Sequence, residues 1–429
     1  MLIVSVDECR AGMRLAAPVG HPEQPGHDLL KAGFILTQEV IIRLRDKKVT
    51  TVFVDYPDLA ELDKFMAPYL SPQRQVVYRQ VRDCLSTVQK STKPTVDFTG
   101  YQTAMREMVL TLMHGGQHPI YLDLIAKQLG GGAVAHATAV AHLSLVIGIR
   151  LENYLIEQRR RLSAMHAREV VNLGVAGMLH DIGICKLSEA AQKASRVNVP
   201  VDDSVRKEWE THARIGYELV KGGLEASAAA AILNHHQNWD GSGFPAIGAD
   251  EAASKAPPPP PPATPVRSGT TTLKAVQLPP QPARNAGEKI HVFARILAAA
   301  NLYERLTVDD MGQPRTTLEA LHLMQTKFSG CIDPTISIIM PSVVPPFPPG
   351  LKVSLSDGTL AVTVGLKTDR PYRPILRRIV DAQTYQLAPE SVDLASPANT
   401  GLNITHVAGV KVDQWIPPEV EKPAKAKVA

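Results

Sequence analysis

Apolar residues recur with a helical period through the middle of the chain, over 135–151 and 170–179, again over 214–219, and in an alanine-rich run at 226–233. The pattern returns at 290 in HVFARILAAANLYERL and continues over 318–324. Together these stretches predict one helix-rich unit over 117–329. It is interrupted at 252–287, where six consecutive prolines and a QLPPQP segment exclude helix and central strand. That segment is predicted to be a solvated, disordered insertion biased to polyproline II. The two ends of the chain carry a different period. Short β-rich runs at 2–6 and 51–54 flank an amphipathic stretch at 38–46, which predicts a small α/β or mostly β module over 1–58. Polar positions at helical spacing over 71–113 predict a helical connector across 59–116. Beyond 345, two alternating runs meet at Asp357-Gly358, a hairpin turn signal, and further strand-like runs lie near 375–379 and 407–412. They predict a C-terminal β module over 345–418, followed by a disordered tail over 419–429. The fold class is mainly α, with a small module at each end.

Composition narrows the function classes. The 46 Lys and Arg nearly balance the 42 Asp and Glu, and no dense basic tract with interleaved aromatics occurs, so nucleic acid is not an expected partner. The four cysteines are scattered without a C-x-x-C pair, which fits reduced thiols rather than a disulfide framework or zinc knot. The N-terminus lacks a basic n-region, and no apolar run reads as a membrane span. The expected location is a bacterial-type cytoplasm, away from membranes.

The histidines change the picture most. His136 lies on the first central helix. His180 and Asp181 are adjacent at the end of the second, His212 opens the HARIGYELV segment, and His235 and His236 end the alanine-rich run. Neutral imidazoles and a carboxylate suit divalent transition ions. Pairs at helix ends can turn inward together, and Gly183, Gly241 and Gly243 follow closely to end the helices. Taken singly, most histidines of a chain this size are surface or satisfied core groups. His21, His27, His114, His118, His142, His166, His291, His322 and His406 stay in that class. The ordered set H, HD, H, HH followed by QNWDGSGFP does not. Trp239 reads as core packing beside that set. Asp240 reads either as an Asx turn capping the DGSG loop or as part of the site.

These motifs resemble the HD-GYP family of the HD superfamily, whose members are helical metal-dependent phosphohydrolases acting mostly on cyclic di-GMP. The resemblance runs through His136, His180-Asp181-Ile182-Gly183, His212-Ala-Arg-Ile-Gly and HHQNWDGSGFP. It extends to FARILAAANLYERLT, and more loosely to CRAGMRLAAPV and PPGLKVSLSDG at the flanks. It implies an HD-type helical bundle as the core. One metal would take His136, His180 and Asp181. A second would share Asp181 as a bridge and add His212, His235 and His236. Two iron or manganese ions per chain are implied, with His180 and Asp181 as catalytic residues and a cyclic dinucleotide as substrate. Gly241, Ser242 and Gly243 would line the substrate.

Several positions depart from the family pattern. The Lys of HDIGK is Ile184, the Glu after HH is Gln237, GYP is Gly243-Phe244-Pro245, and a metal-ligand Asp is Asn301, whose amide oxygen would ligate without charge. The acidic residue of a third metal falls on Gly132, and Arg315 stands in for the RPYR phosphate-binding segment. Three readings follow: a phosphodiesterase, a degenerate signalling module with little turnover, and a phosphohydrolase for another nucleotide. A protein partner would meet the Gly243-Phe244-Pro245 loop or the proline-rich insertion.

Overall fold

The structure, a computed structural model, describes residues 2–21, 28–47, 49, 51–62, 72–91, 94, 96–114, 132–194, 202–245, 286–309, 313–381 and 386–417. Nearly all of the predicted proline-rich insertion, and the tail over 419–429, lie outside the described residues.

At the N-terminus, β1 (Leu2–Ser5) pairs antiparallel with β4 (Thr51–Val54), and β2 (Val19–Gly20) pairs with β3 (Asp28–Leu30). Helix α1 (Gln38–Asp46) lies between β3 and β4. Thr37 caps it by accepting from Val40 N–H, and Ile41 and Leu44 are its buried face. The connector region contributes α2 (Pro72–Lys90) and α3 (Phe98–His114). Both pack on the central helices, so they extend the bundle as well as join it to the first module.

The core helices are α4 (Gly132–Arg150), α5 (Glu152–Gln158), α6 (Ala164–Ala167), α7 (Val171–Leu179), α8 (Glu189–Ala194), α9 (Asp203–Glu210), α10 (His212–Val220), α11 (Ala226–Asn234), α12 (Val292–Leu306), α13 (Thr317–Gln325) and α14 (Pro334–Val343). Helix α4 is apolar on every side because it is surrounded: α2, α7, α12 and α14 all pack on it. By length and composition alone it could cross a membrane, though His136, Thr138, His142 and Ser144 interrupt its apolar run. Its apolar surface is satisfied instead by burial inside the bundle. Helices α4 and α7 cross closely at Gly177. A Cβ there would stand 2.5 Å from Ala141 Cα, so a side chain would force the helices apart. In the interior, Arg295 of α12 pairs with Asp333, the N-cap of α14, at 2.5 Å, and both are almost fully buried.

The C-terminal module is one antiparallel sheet in the order β10-β9-β5-β6-β7-β8. Its strands are β5 (Lys352–Leu355), β6 (Leu360–Gly365), β7 (Ile375–Asp381), β8 (Gln386–Asp393), β9 (Ile404–Val407) and β10 (Val410–Lys411). Gly358, at φ +82°, makes the β5–β6 turn. Val353, Leu355, Leu376 and Phe347 form a second core with Leu318 of α13. The two terminal modules touch. Ile3 N–H donates to Gly350 O at 3.0 Å, Glu8 pairs with Lys352, and Arg377 donates to Asp58 O at 2.7 Å.

Candidate metal centre

Four helices bring their polar ends to one place. His136 lies one turn into α4. His180 and Asp181 follow the last residue of α7, His212 opens α10, and His235 and His236 follow α11. The helix ends leave backbone carbonyls without intrahelical partners, and the histidines use them. His180 Nδ1 faces Gly177 O at 2.8 Å, His212 Nδ1 faces Trp209 O at 2.6 Å and His235 Nδ1 faces Ile232 O at 2.6 Å. A carbonyl oxygen only accepts, so each Nδ1 carries the proton and each Nε2 is left with its lone pair. That is the tautomer a metal ligand needs. His136 reaches the same state by another route, since its Nδ1 is held by the Glu304 carboxylate of α12.

The four Nε2 atoms form two pairs. His136 and His180 Nε2 stand 3.1 Å apart, and His212 and His235 Nε2 stand 3.2 Å apart. Each pair faces a different oxygen of Asp181. His136 and His180 are both 3.5 Å from Oδ2, whereas His212 and His235 are 3.3 Å and 3.5 Å from Oδ1. His236 joins the Oδ1 group, its ligand atom within 4.8 Å of the others. Two lone pairs facing each other at this distance repel unless a cation sits between them. Two imidazole nitrogens in adjacent positions on one divalent ion stand about 3 Å apart, given metal–nitrogen bonds near 2.1 Å. Asp181 Oδ1 and His236 Nε2 are buried and make no well-aligned hydrogen bond. Such orphaned polar atoms are costly unless they bind something. The donor set therefore fits divalent ions, with Asp181 between two groups.

Electrostatics point the same way. Burial pushes the His180 and His236 imidazoles far below their ordinary range, and His235 is also lowered chiefly by burial. Burial pushes Asp181 up, but His180, His212 and His235 outweigh it and hold the carboxyl well below the usual carboxylate range. For His136, burial is outweighed by the charge of Glu304 and the hydrogen bond to it, so its imidazole is raised. The centre opens on the α12 side. The His180, His212 and His235 side chains are sealed, whereas His136, Glu304 and Arg305 retain 15%, 22% and 26% exposure.

The remaining predicted residues are less central. Asn301 is buried on α12, and its amide oxygen accepts from Arg305 Nε at 3.0 Å. Arg315 spends its guanidinium on Val308 O at 2.5 Å and on Glu319, in the first turn of α13, at 3.2 Å. Gly241, at φ +83°, Ser242 and Gly243, at φ +92°, form the loop after His236. Asp240 Oδ1 accepts from Ser242 N–H at 2.8 Å, the Asx turn. Phe244 stacks on His236 with ring centroids 4.4 Å apart, so this loop walls the ligand set. Gln237 donates to Pro245 O. Ile184 lies in the 3-10 turn Ile182–Lys186 after Asp181. Trp239 lies against Arg295, its ring 5.5 Å from the guanidinium. Trp209 packs beside the ligands, 4.9 Å from His212 and 5.1 Å from His236. Trp209, Glu304 and Arg305 were missed in the sequence. Glu304 and Arg305 share the face of α12 that carries Asn301, at spacings of three and four.

Residues 134–306 match the family model of the HD domain. No curated protein matches the chain. Among solved structures, the one described as "Bd1817, a HDG"Y"P protein from Bdellovibrio bacteriovorus" aligns over 79% of this chain and 99% of its own, at 13% identity and a TM-score of 0.38. The helical core of this chain, residues 134–306, is an HD domain, the domain of a superfamily of metal-dependent phosphohydrolases.

Proposed function

We propose that this HD domain is a phosphodiesterase of the HD-GYP type, hydrolysing a cyclic dinucleotide such as cyclic di-GMP with two divalent ions, iron or manganese. The observation that carries the reading is the split of Asp181. Each of its oxygens faces its own pair of imidazole Nε2 atoms. Divalent ions bound to such a set acidify water and neutralise charge on phosphoryl oxygens. The chain's own groups do the rest. The carbonyls of Gly177, Trp209 and Ile232 fix the tautomers of three histidines, and Glu304 fixes that of His136. Asp181 stays ionised and keeps the two groups together. Phe244 and Trp209 exclude water from the His236 side. The HHQNWDGSGFP motif supports the choice of subfamily and hence of substrate class.

The test is turnover of cyclic di-GMP by anaerobically purified protein with added manganese or iron, in wild type and in His180→Ala and Asp181→Ala. Linear product that both substitutions abolish supports the reading. Bound metal without turnover selects the second reading, a signalling module with little catalysis. That alternative is favoured by Asn301, whose oxygen is engaged by Arg305, and by Arg315, which is tied to Val308 O and Glu319. Its output would pass to a protein partner through the Gly243-Phe244-Pro245 loop or the proline-rich insertion.

A further inference from the structure

Arg305 brings a permanent positive charge into the ligand set, which needs an explanation. Its NH2 nitrogen lies 3.5 Å from Asp181 Oδ2, the oxygen that faces His136 and His180. Its Nε donates to Asn301 Oδ1 at 3.0 Å, one helical turn back. Its guanidinium carbon stands 5.7 Å from the Trp209 ring centroid. Three contacts on three sides fix the plane of the fork. Its charge is felt across the centre. After burial and the neighbouring imidazoles, it helps lower His236, and it opposes the rise of His136.

A cation in that position works against metal binding, because it repels the ions the imidazoles are arranged to hold. A residue needed only to hold the helix in place would not require a charge there. Nor is Arg305 sealed away, since it sits on the side where the centre opens, with 26% of its side chain exposed. Two other basic groups, Lys186 and Arg315, are committed elsewhere. Lys186, five residues after Asp181, donates to Val88 O at 2.5 Å and Ser91 O at 2.6 Å, at the end of α2. Arg315 is tied to Val308 O and Glu319. Among the described residues, Arg305 is the Lys or Arg side chain that makes an ion-pair contact with the ligand set.

The geometry points to Arg305 as a substrate-binding residue that takes a non-bridging oxygen of the phosphate group beside Asp181, with Asn301 and Trp209 as the residues that aim it. This rests on the phosphohydrolase reading and adds to it the group that meets the phosphate. A planar fork held on one edge by an amide oxygen and over an indole ring is preorganised for an oxyanion. Asn301 then has a use that an aspartate at the same position would not serve as well. A carboxylate there would pair with the guanidinium and draw its charge away from the phosphate, whereas a neutral amide orients it and leaves the charge in place.

The experiment uses full-length protein loaded with manganese, titrated with inorganic phosphate by calorimetry. Metal content is measured on the same samples, for wild type, Arg305→Ala and Arg305→Lys. The expected result is a loss of phosphate affinity on the order of 10- to 100-fold in Arg305→Ala, the worth of one or two hydrogen bonds to a charged group. Arg305→Lys should recover part of it, and metal content should stay at the wild-type level or bind more tightly in both variants. Unchanged phosphate affinity in Arg305→Ala, with metals retained, overturns the assignment and leaves the phosphohydrolase reading standing. Loss of metal from Arg305→Ala or Arg305→Lys also overturns it, because the arginine would then serve the ligands rather than the substrate. Wild-type protein that takes up no manganese overturns both, since Arg305 would merely neutralise Asp181.

Discussion

Gly183 offers the sharpest perturbation of the centre that alters no ligand side chain. It lies in the 3-10 turn Ile182–Lys186, against the first turn of α10. A Cβ at this position would stand 2.1 Å from His212 O and 2.7 Å from Gly216 N. Both are backbone atoms and cannot swing aside. Ordinary contact begins at 3.4 Å, so in Gly183→Ala the turn and α10 must separate by roughly 1 Å. Asp181 lies on one side of that gap and His212 on the other, now 3.3 Å apart. The His136 and His180 pair lies on α4 and at the end of α7, away from it. The variant should therefore weaken metal binding on the Oδ1 side by roughly 10- to 100-fold, the scale seen when support of a ligand is lost. It should also cost about 1–3 kcal/mol of stability from overpacking. Metal content after dialysis, by mass spectrometry, should fall by about one ion per chain relative to wild type, and thermal unfolding of metal-free protein should show the stability loss. Gly222→Ala is the control, because a Cβ there meets nothing within 4 Å. Gly183→Ala protein with wild-type metal content, metal affinity and unfolding temperature would refute the reasoning.

Two further outcomes follow from the same structure. Glu304→Gln removes the carboxylate behind His136 Nδ1 and should weaken metal binding on the Oδ2 side by roughly 10- to 100-fold, leaving the His212 and His235 side intact; competition with a chelator resolves the two sites. His291 caps α12 by accepting from Phe293 N–H, and burial, then the charges of Arg159 and Arg295 against that of Glu225, hold its imidazole down to about 4. Above pH 6.5 both folded and unfolded chains leave it neutral, and as pH falls below 6.5 only the unfolded chain takes the proton. Stability is thus lost from pH 6.5 down to about 4, by about 2 kcal/mol between pH 7 and pH 5. His291→Asn supplies a capping oxygen in place of Nδ1, and urea unfolding at the two pH values should show that dependence removed.

Much of the centre was legible because its ligands occur as side chains in a fixed order along helices whose periods are plain. The amphipathic stretch at 38–46 forms helix α1 over those same residues. The Asp357-Gly358 signal makes the expected hairpin, since Gly358 adopts a positive φ. What was missed has physical reasons. The acceptors that set the tautomers of His180, His212 and His235 are backbone carbonyls three residues upstream, and backbone leaves no mark in a side-chain pattern. Glu304 and Arg305 look like ordinary charged residues near a helix end, and only the packing of α12 against α4 aims them inward. Trp209 precedes His212 by three residues on a short polar helix with no fully buried residue, so periodicity gave it no special weight. Strand β8 was not singled out because Pro389 and its polar neighbours break the alternating pattern; it forms an edge of the sheet, where a missing N–H is tolerated. Helix α14 falls between the predicted units, yet it packs on α4 and completes the bundle.

The central claim is a centre divided by Asp181 into two metal-binding halves. Its most direct test is the metal content of anaerobically purified full-length protein, alongside His136→Ala, His212→Ala and Asp181→Asn. The account predicts about two ions per chain in wild type, about one in each histidine variant, and less than one in Asp181→Asn. Wild-type protein without transition metal, or an Asp181→Asn variant that retains both ions, would contradict it.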